Sequence, residues 1–257
     1  MVIDNLSLSF PGRPPVLQSI TSHWRSGQVV ALLGPNGAGK SSLLKALAGL
    51  QSVSGHITLE GISWLGLTPR ERSLRVSYLP QQLSYPQPFR TWEVVLMGRF
   101  SRLGRWGTAS SHDLAQVDVC LHRAGALPLR DRNVTRLSGG ELQRVRWAQA
   151  LAQEAPWMLL DEPTSALDWH QQLELIDLVG ELKSEGKSLL MALHDFNFAR
   201  RVADEIWLLD QGKLKLKGSP DEVLRNPEFE AAFQVKLDYF QNGLGESICW
   251  PRKLTET

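Results

Sequence analysis

Cysteine is scarce in this chain: Cys120 and Cys249 are the two in 257 residues, far apart and in no metal-ligating spacing. That excludes a disulfide framework, and the two thiols read as packing residues in a reducing compartment. An excess of one charge is also lacking. A net charge of +1, from 28 Lys and Arg against 27 Asp and Glu, implies no broad basic surface, so nucleic acid is not an expected partner. No apolar run approaches the roughly 18 residues that cross a bilayer. The opening "MVIDNLSLSF" has neither a basic n-region nor an apolar h-region, so no signal peptide is expected and the chain is expected to be cytosolic. Service to a membrane is then expected through docking to another protein. No internal repeat, low-complexity tract or linker interrupts the sequence, and 42% hydrophobic content is enough for one large domain.

What is present begins with "GPNGAGKSS", Gly34 to Ser42. Upstream, "VVALL" (Val29 to Leu33) reads as a strand buried on both faces. Downstream, Leu43, Leu44 and Leu47 recur at helical spacing and Gly49 offers a stop. The pattern G-x-x-x-x-G-K-S runs through Gly34, Pro35, Asn36, Gly37, Ala38, Gly39, Lys40 and Ser41, with Ser42 next. Glycines let the backbone curl so that successive N–H groups cradle phosphate oxygens. The helix that follows adds about half a positive charge at its N-terminus. Lys40 suits β- and γ-phosphates and the Ser41 hydroxyl suits Mg²⁺.

Around this loop the chain alternates textures. Leu6, Leu8 and Phe10 are spaced to face one way along a half-buried strand, and "HITLEG" (His56 to Gly61) is a second short strand. These predict an antiparallel sheet beside a parallel core. From Thr91 to Arg136 the pattern turns helical. Ser110 and Asp113 resemble a capping box, Leu114, Val117, Leu121 and Ala124 form an apolar stripe, and Gly125 ends it. "WMLLDEP" and "SLLMALHD" are further buried strands, "EIWLLDQGKLKLKG" predicts a hairpin turning at Gln211-Gly212, and Ser219-Pro220-Asp221-Glu222 opens a short helix. The remaining tail is too short for an added regulatory domain.

Two acids close the "WMLL" run. Ligands in open parallel sheets bind beyond the carboxyl ends of strands, where Asp161 and Glu162 are expected. Asp161 suits a Mg²⁺-associated acid and Glu162 suits a group that polarises a water for attack on a γ-phosphate. "LSGGE" (Leu137 to Glu141) is a helix entry with Ser138 as N-cap, and Leu142, Val145, Ala148 and Ala152 lie on one face of the helix it opens. Taken alone it is an ordinary cap. Taken with the first loop it is a second helix N-terminus open to phosphate, and one γ-phosphate does not require both from the same molecule.

In order along the chain, Gly34–Ser42, Gln81, Leu137–Glu141, Asp161–Glu162, Ser165–Asp168 and His194 resemble the motifs of the ATP-binding-cassette (ABC) ATPases, over about Met1 to Val235. The resemblance implies an α/β P-loop NTPase fold: a mixed core sheet with an antiparallel β subdomain and a helical subdomain, in a single domain 1–257. The helical subdomain is expected at about 88–155 and a short C-terminal tail at about 219–257. It implies ATP and Mg²⁺ as ligands, with the metal at Ser41, Gln81 and Asp161. It also implies a head-to-tail homodimer in which each ATP lies between one phosphate loop and the other subunit's Ser138, Gly139, Gly140 and Glu141. Phe10 resembles the aromatic that stacks on adenine. Gln81, rather than its neighbour Gln82, resembles the glutamine touching metal and attacking water. His194 resembles the histidine contacting the γ-phosphate, with Glu162 the catalytic acid, and Asp168 resembles the acid linking subunits. Glu141 stands where the family more often has Gln.

Further stretches, "VVLMGRF", "RLSGGELQRV" and "GSPDEVLRNPEFEAAF", look like the subfamily that imports ferric siderophores, haem or cobalamin. The expected function is the ATP-hydrolysing, energy-coupling subunit of an importer. The expected partners are two polytopic membrane permease subunits and, indirectly, a periplasmic or extracellular substrate-binding protein. The expected place is the cytoplasmic face of the inner membrane, peripherally bound. The alternatives are a soluble cassette ATPase acting on another macromolecule, or an importer for molybdate or zinc. Thr91 to Leu103 is the expected docking surface, with Trp92 and Phe100 as exposed aromatics.

Overall fold

The apolar runs form a parallel sheet. In the computed structural model, which describes residues 1–81, 85, 87–103, 107–241, 243 and 247–253, β3 (Val29–Leu33), β7 (Trp157–Asp161) and β8 (Ser188–Ala192) are buried at every position. Strands buried on both faces need no polar alternation, which is why these segments are continuously apolar. With β6 (Val76–Leu79), β9 (Glu205–Asp210) and β10 (Lys213–Gly218) they make a six-stranded sheet ordered β10-β9-β3-β8-β7-β6. All neighbours pair parallel except β10, which turns back antiparallel from β9. The turn carries positive φ at Gln211 (47°) and Gly212 (75°), the geometry that matches hairpin twist.

The sheet divides two cores. Val29, Ala31 and Leu33 point to one, Val30 and Leu32 to the other, as period-two alternation requires. The second core also holds α1 (Lys40–Leu47) and an antiparallel sheet of β1 (Val2–Leu8), β2 (Leu17–His23), β4 (Ser54–Leu59) and β5 (Ile62–Ser63), ordered β2-β1-β4-β5. β1 departs from the expected alternation. Asn5 takes φ 48°, a bulge that lets both Ile3 and Leu6 face inward. The strand ends at Leu8, so Phe10 lies past it, 41% exposed, and does not share the face of Leu6 and Leu8.

The first core is roofed by helices. The short α2 (Pro69–Ser73), capped by Thr68, precedes β6, and then α3 (Thr91–Met97), α4 (Ser111–Arg123) and α5 (Gly139–Ala152) pack together. The Ser110–Asp113 capping box is formed. Leu114 is not part of the buried stripe. The first turn of α4 buries Asp113 instead, whose Oδ1 lies 2.7 Å from Arg99 Nε, while Arg99 Nη1 lies 3.2 Å from Glu154 Oε1. A buried ion pair of this kind fixes how the end of α3 sits on α4 and on the end of α5. α6 (Trp169–Ser184) and α7 (Phe196–Val202) flank β8. After β10 come α8 (Pro220–Leu224), with its Ser219 capping box, and α9 (Pro227–Phe233). The rest of the tail, which carries no strand signal strong enough to predict, forms an antiparallel hairpin of β11 (Val235–Gln241) and β12 (Ser247–Lys253).

Candidate active site

The loop between β3 and α1 wraps on itself because its glycines take backbone angles other residues avoid. Gly37 has φ 80° and Gly39 φ 105°. A Cβ on Gly39 would also stand 3.0 Å from the Val16 carbonyl oxygen and 3.1 Å from Leu17 Cδ2. Gly39 precedes α1, and no side chain caps that helix. The first N–H groups of α1 are therefore free of side-chain acceptors and open to an anion. Lys40 Nζ donates to the carbonyls of Gly34 (2.6 Å) and Pro35 (3.2 Å). Burial lowers the Lys40 pKa, and the nearby Glu162 and Asp161 charges oppose that shift.

Asp161 ends β7 as a buried side chain. Its Oδ1 accepts from Ser41 Oγ at 3.0 Å and its Oδ2 from the Tyr78 hydroxyl at 3.3 Å. Burial raises the Asp161 pKa, and both hydrogen bonds pull it back. Burial and the Asp161 charge push the Tyr78 phenol up. Sequence reasoning missed Tyr78. Its signal is register: β6 pairs with β7, Tyr78 against Leu159, two residues short of Asp161.

Glu162 follows in left-handed backbone, φ 51°, a conformation that costs a non-glycine residue about 1 kcal/mol or more and recurs at functional sites. Its two carboxylate oxygens are held separately. Gln81 Nε2 donates to Oε2 at 2.6 Å, and His194 Nε2 lies 2.7 Å from Oε1. Gln81 comes from beyond β6, Glu162 from beyond β7 and His194 from beyond β8, so three strand ends fix one carboxylate. Gln82 lies outside the described residues.

These groups open onto a cavity of about 450 Å³ lined by Val16, Asn36 to Ser42, Gln81, Glu162 and His194. Phe10 does not line it. Val16 does, held beside β1 by its N–H on the Leu8 carbonyl at 2.8 Å. A lone Val ahead of a strand gave no sequence signal. Among the described residues, His, Cys, Asp and Glu form no cluster of three or more able to hold a metal. Ser41, Asp161 and Gln81 instead offer hard oxygens, the donor type that suits Mg²⁺ when phosphates complete its shell.

The "LSGGE" helix entry lies apart. Ser138, Gly139, Gly140 and Glu141 do not line the cavity. Ser138 Oγ accepts from the Glu141 N–H at 3.3 Å, Glu141 Oε2 accepts from the Ser138 N–H at 2.8 Å, and Arg132 Nη1 reaches Glu141 Oε1 at 2.6 Å. The Ser138 N–H bond above all, with lesser help from Ser138 Oγ and Arg132, holds the Glu141 carboxyl below its usual value against the opposing effect of desolvation. Gly139 and Gly140 pack against the segment entering α6. A Cβ on Gly139 would lie 3.2 Å from Ala166 Cβ, and one on Gly140 2.6 Å from Gln171 Oε1. Asp168 is exposed and caps α6, its Oδ1 accepting from the Gln171 N–H at 2.8 Å.

Known proteins resemble this chain in sequence and in fold. The family model described as ABC transporter matches residues 17–165. The cobalamin import ATP-binding protein BtuD of Halobacterium salinarum is 38% identical over 224 residues, 86% of this chain and 56% of the relative. This chain thus spans little more than half of that protein. The hemin import ATP-binding protein HmuV of Rhodopseudomonas palustris is 37% identical over 235 residues, 88% of this chain and 85% of the relative. Among solved structures, a dimeric ATP-binding cassette in a post-hydrolysis state, bound to ADP and Pi, matches with a TM-score of 0.77 and 25% identity, over 85% of this chain and 98% of that one.

Proposed function

The chain belongs to the ABC transporter family, and from that premise we propose that it is the ATP-hydrolysing subunit of an importer for metal chelates of the haem, cobalamin or iron-siderophore kind. One observation carries the hydrolytic part: the Glu162 carboxylate, at the mouth of the phosphate loop, is gripped on both oxygens by Gln81 and His194. The cargo class is supported by the relatives named above, which import cobalamin and hemin.

The residues divide the work. The uncapped N-terminus of α1 and the Gly37–Gly39 backbone bind phosphate oxygens. Lys40 is already buried beside the loop, so it turns from the Gly34 and Pro35 carbonyls toward phosphate without being drawn out of water. Ser41, Asp161 and Gln81 would hold Mg²⁺, which supplies positive charge against the phosphates. Tyr78 and Ser41 hold the Asp161 carboxylate in place. Glu162 accepts a proton from water as that water attacks, and Gln81 and His194 keep its lone pairs aimed. Among the described residues the His194 ring makes no other hydrogen bond, which leaves it able to turn a ring N–H to the terminal phosphate.

Ser138, Gly139 and Gly140 act on a second copy's nucleotide. A two-fold homodimer that pairs each α5 N-terminus with the other subunit's phosphate loop uses both helix ends, which one chain keeps apart. Ala166 and Gln171, which pack beside Gly139 and Gly140, then lie on the same facing surface, as does the α6 end that Asp168 caps.

The membrane partner docks at a larger cleft of about 1040 Å³ whose walls include Tyr78, Pro80, Met97, Phe100 and Leu103. Phe100 is 76% exposed at its rim. Trp92, expected to be exposed, is instead partly buried against the helical core with Arg130 above its ring at 5.9 Å. Phe100 is therefore the docking aromatic. The cleft reaches Pro80, next to Gln81, so the grip on Glu162 and the docking surface share one loop. Among the described residues no helix is long and apolar enough to cross a membrane, and the subunit sits peripherally on the cytoplasmic face. The test is to purify the tagged chain from detergent-solubilised membranes of its source. A polytopic membrane protein in equal amount, lost on Phe100→Ala, supports the reading; recovery with ribosomes or DNA ends it.

A further inference from the structure

The residues just after His194 are seated on the C-terminal tail, which lies beyond the 17–165 stretch matched by the family model. His194 belongs to no strand or helix. On its N-terminal side β8 is locked into the sheet, the Leu193 N–H reaching the Leu32 carbonyl at 3.1 Å. On its C-terminal side comes Asp195, which caps α7 through the N–H groups of Asn197 (2.8 Å) and Phe198 (3.0 Å). The angles at His194 therefore depend on where the start of α7 lies. α7 has seven residues, far too few to hold a position without tertiary contacts.

The tail supplies two of those contacts, both at the first turn. The Phe196 ring meets Phe229 and Phe233 of α9 edge-on, with centroids at 5.2 and 5.0 Å. Asn197 binds β12 as a strand would. Its Nδ2 donates to the Cys249 carbonyl at 3.0 Å, and its Oδ1 accepts the Cys249 N–H at 2.8 Å. Cys249 is fully buried, so without Asn197 both of its outward backbone groups would lose their partners. A primary amide is the one side-chain type with a donor and an acceptor spaced for this.

We propose that the C-terminal tail positions His194 against Glu162, acting through Phe196 and Asn197, with Asn197 the residue that transmits hairpin placement to the site. Asn197 is a positioning residue. It touches neither Glu162 nor the cavity.

The inference rests on the ATPase reading for one readout and is free of it for another. The full-length protein is compared with Asn197→Leu, which removes both bonds, Asn197→Asp, which keeps the acceptor for the Cys249 N–H, and Tyr239→Phe. The last loosens the same hairpin elsewhere, losing the bond from the Tyr239 hydroxyl to the Leu224 carbonyl at 2.6 Å. The side-chain ¹⁵N signal of His194, assigned by its loss in His194→Ala, is read by NMR, alongside kcat, KM for ATP and melting temperature. Asn197→Leu is expected to shift or broaden the His194 signal and lower kcat about tenfold, short of the ~100-fold cost of gross misplacement, with KM within about twofold. Asn197→Asp falls between it and the wild type, and carries the test if the leucine variant does not fold. Tyr239→Phe lowers the melting temperature and moves neither His194 nor kcat. An unmoved His194 signal in both Asn197 variants overturns the proposal. So does a loss of kcat that tracks melting temperature across all three. A wild type without ATPase activity defeats the functional reading instead, and the NMR signal still decides this one.

Discussion

Two helices in this molecule begin at glycine- and serine-rich stretches, and their N-termini are finished in opposite ways. α1 starts behind Gly39 and has no side-chain cap. α5 starts behind Ser138 and is sealed by a complete capping box, with Arg132 tying Glu141 down from outside. An open helix end beside Lys40, Ser41 and Glu162 lines a cavity within its own chain. A sealed end that lies outside the cavity is a stable surface feature until something displaces the cap. On the proposed function, the same local chemistry serves binding at one end and waits for a second molecule at the other. The difference is which orphan N–H groups the chain itself satisfies.

Substitutions at the open end should break binding or chemistry within one chain. The largest effect is expected for Glu162→Gln. Its ATP hydrolysis falls by about 100-fold or more, the scale of a positioned acid–base group, while ATP binding persists and the dimer becomes longer-lived on a sizing column with ATP. An unchanged rate would remove Glu162 from its role. Lys40→Ala deletes a charge-assisted contact of about 1.5–3 kcal/mol, so nucleotide affinity drops roughly tenfold or more in a fluorescent-nucleotide titration.

Ser138→Ala breaks the sealed end alone. Loss of the cap costs about 1 kcal/mol of stability, seen as a lower denaturation midpoint. ATP hydrolysis falls too, yet affinity for ATP in dilute single chains stays within about twofold; an equal loss of affinity would put both helix ends in one site. Glu141→Gln is the smallest change and sharpens the comparison through pH. The Glu141 carboxyl is held below its usual value by its bonds to Ser138 and Arg132. That stabilisation is present above the unfolded-chain value of about 4.3 and is lost as pH falls through the lower folded-state value. The Gln variant keeps the capping box, is less stable than the wild type at neutral pH by the amount the carboxylate contributes, and lacks this acid-dependent loss, so the two converge in acid. Melting curves from pH 7 down to about pH 3 check it.

The elements that carry the chemistry were legible because their patterns are local. "VVALL", "WMLLD" and "SLLMA" announce strands by unbroken apolarity, and "GAGK" announces a loop by residues that tolerate its angles. Capping boxes at Ser110 and Ser219 follow from spacing of three; at Ser138 the N-cap was legible and the return bond from Glu141 was not. Phe10 and Trp92 were placed less well. Alternation cannot foresee that β1 ends at Leu8 with a bulge at Asn5 behind it, and an aromatic on a short helix reads the same whether it faces solvent or Arg130. Tyr78, Val16 and Asn197 were invisible because their partners lie in other strands: Asp161, the loop cavity and Cys249.

By itself the sequence determined which backbone segments bend and which strands are buried, since each depends on residues within one or two turns of chain. Only the tertiary structure decided that Gln81, Glu162 and His194 share one carboxylate and that Ser138 stands away from them. Those facts depend on the order of strands in a sheet, where residues far apart in the chain become neighbours through pairing no single segment encodes.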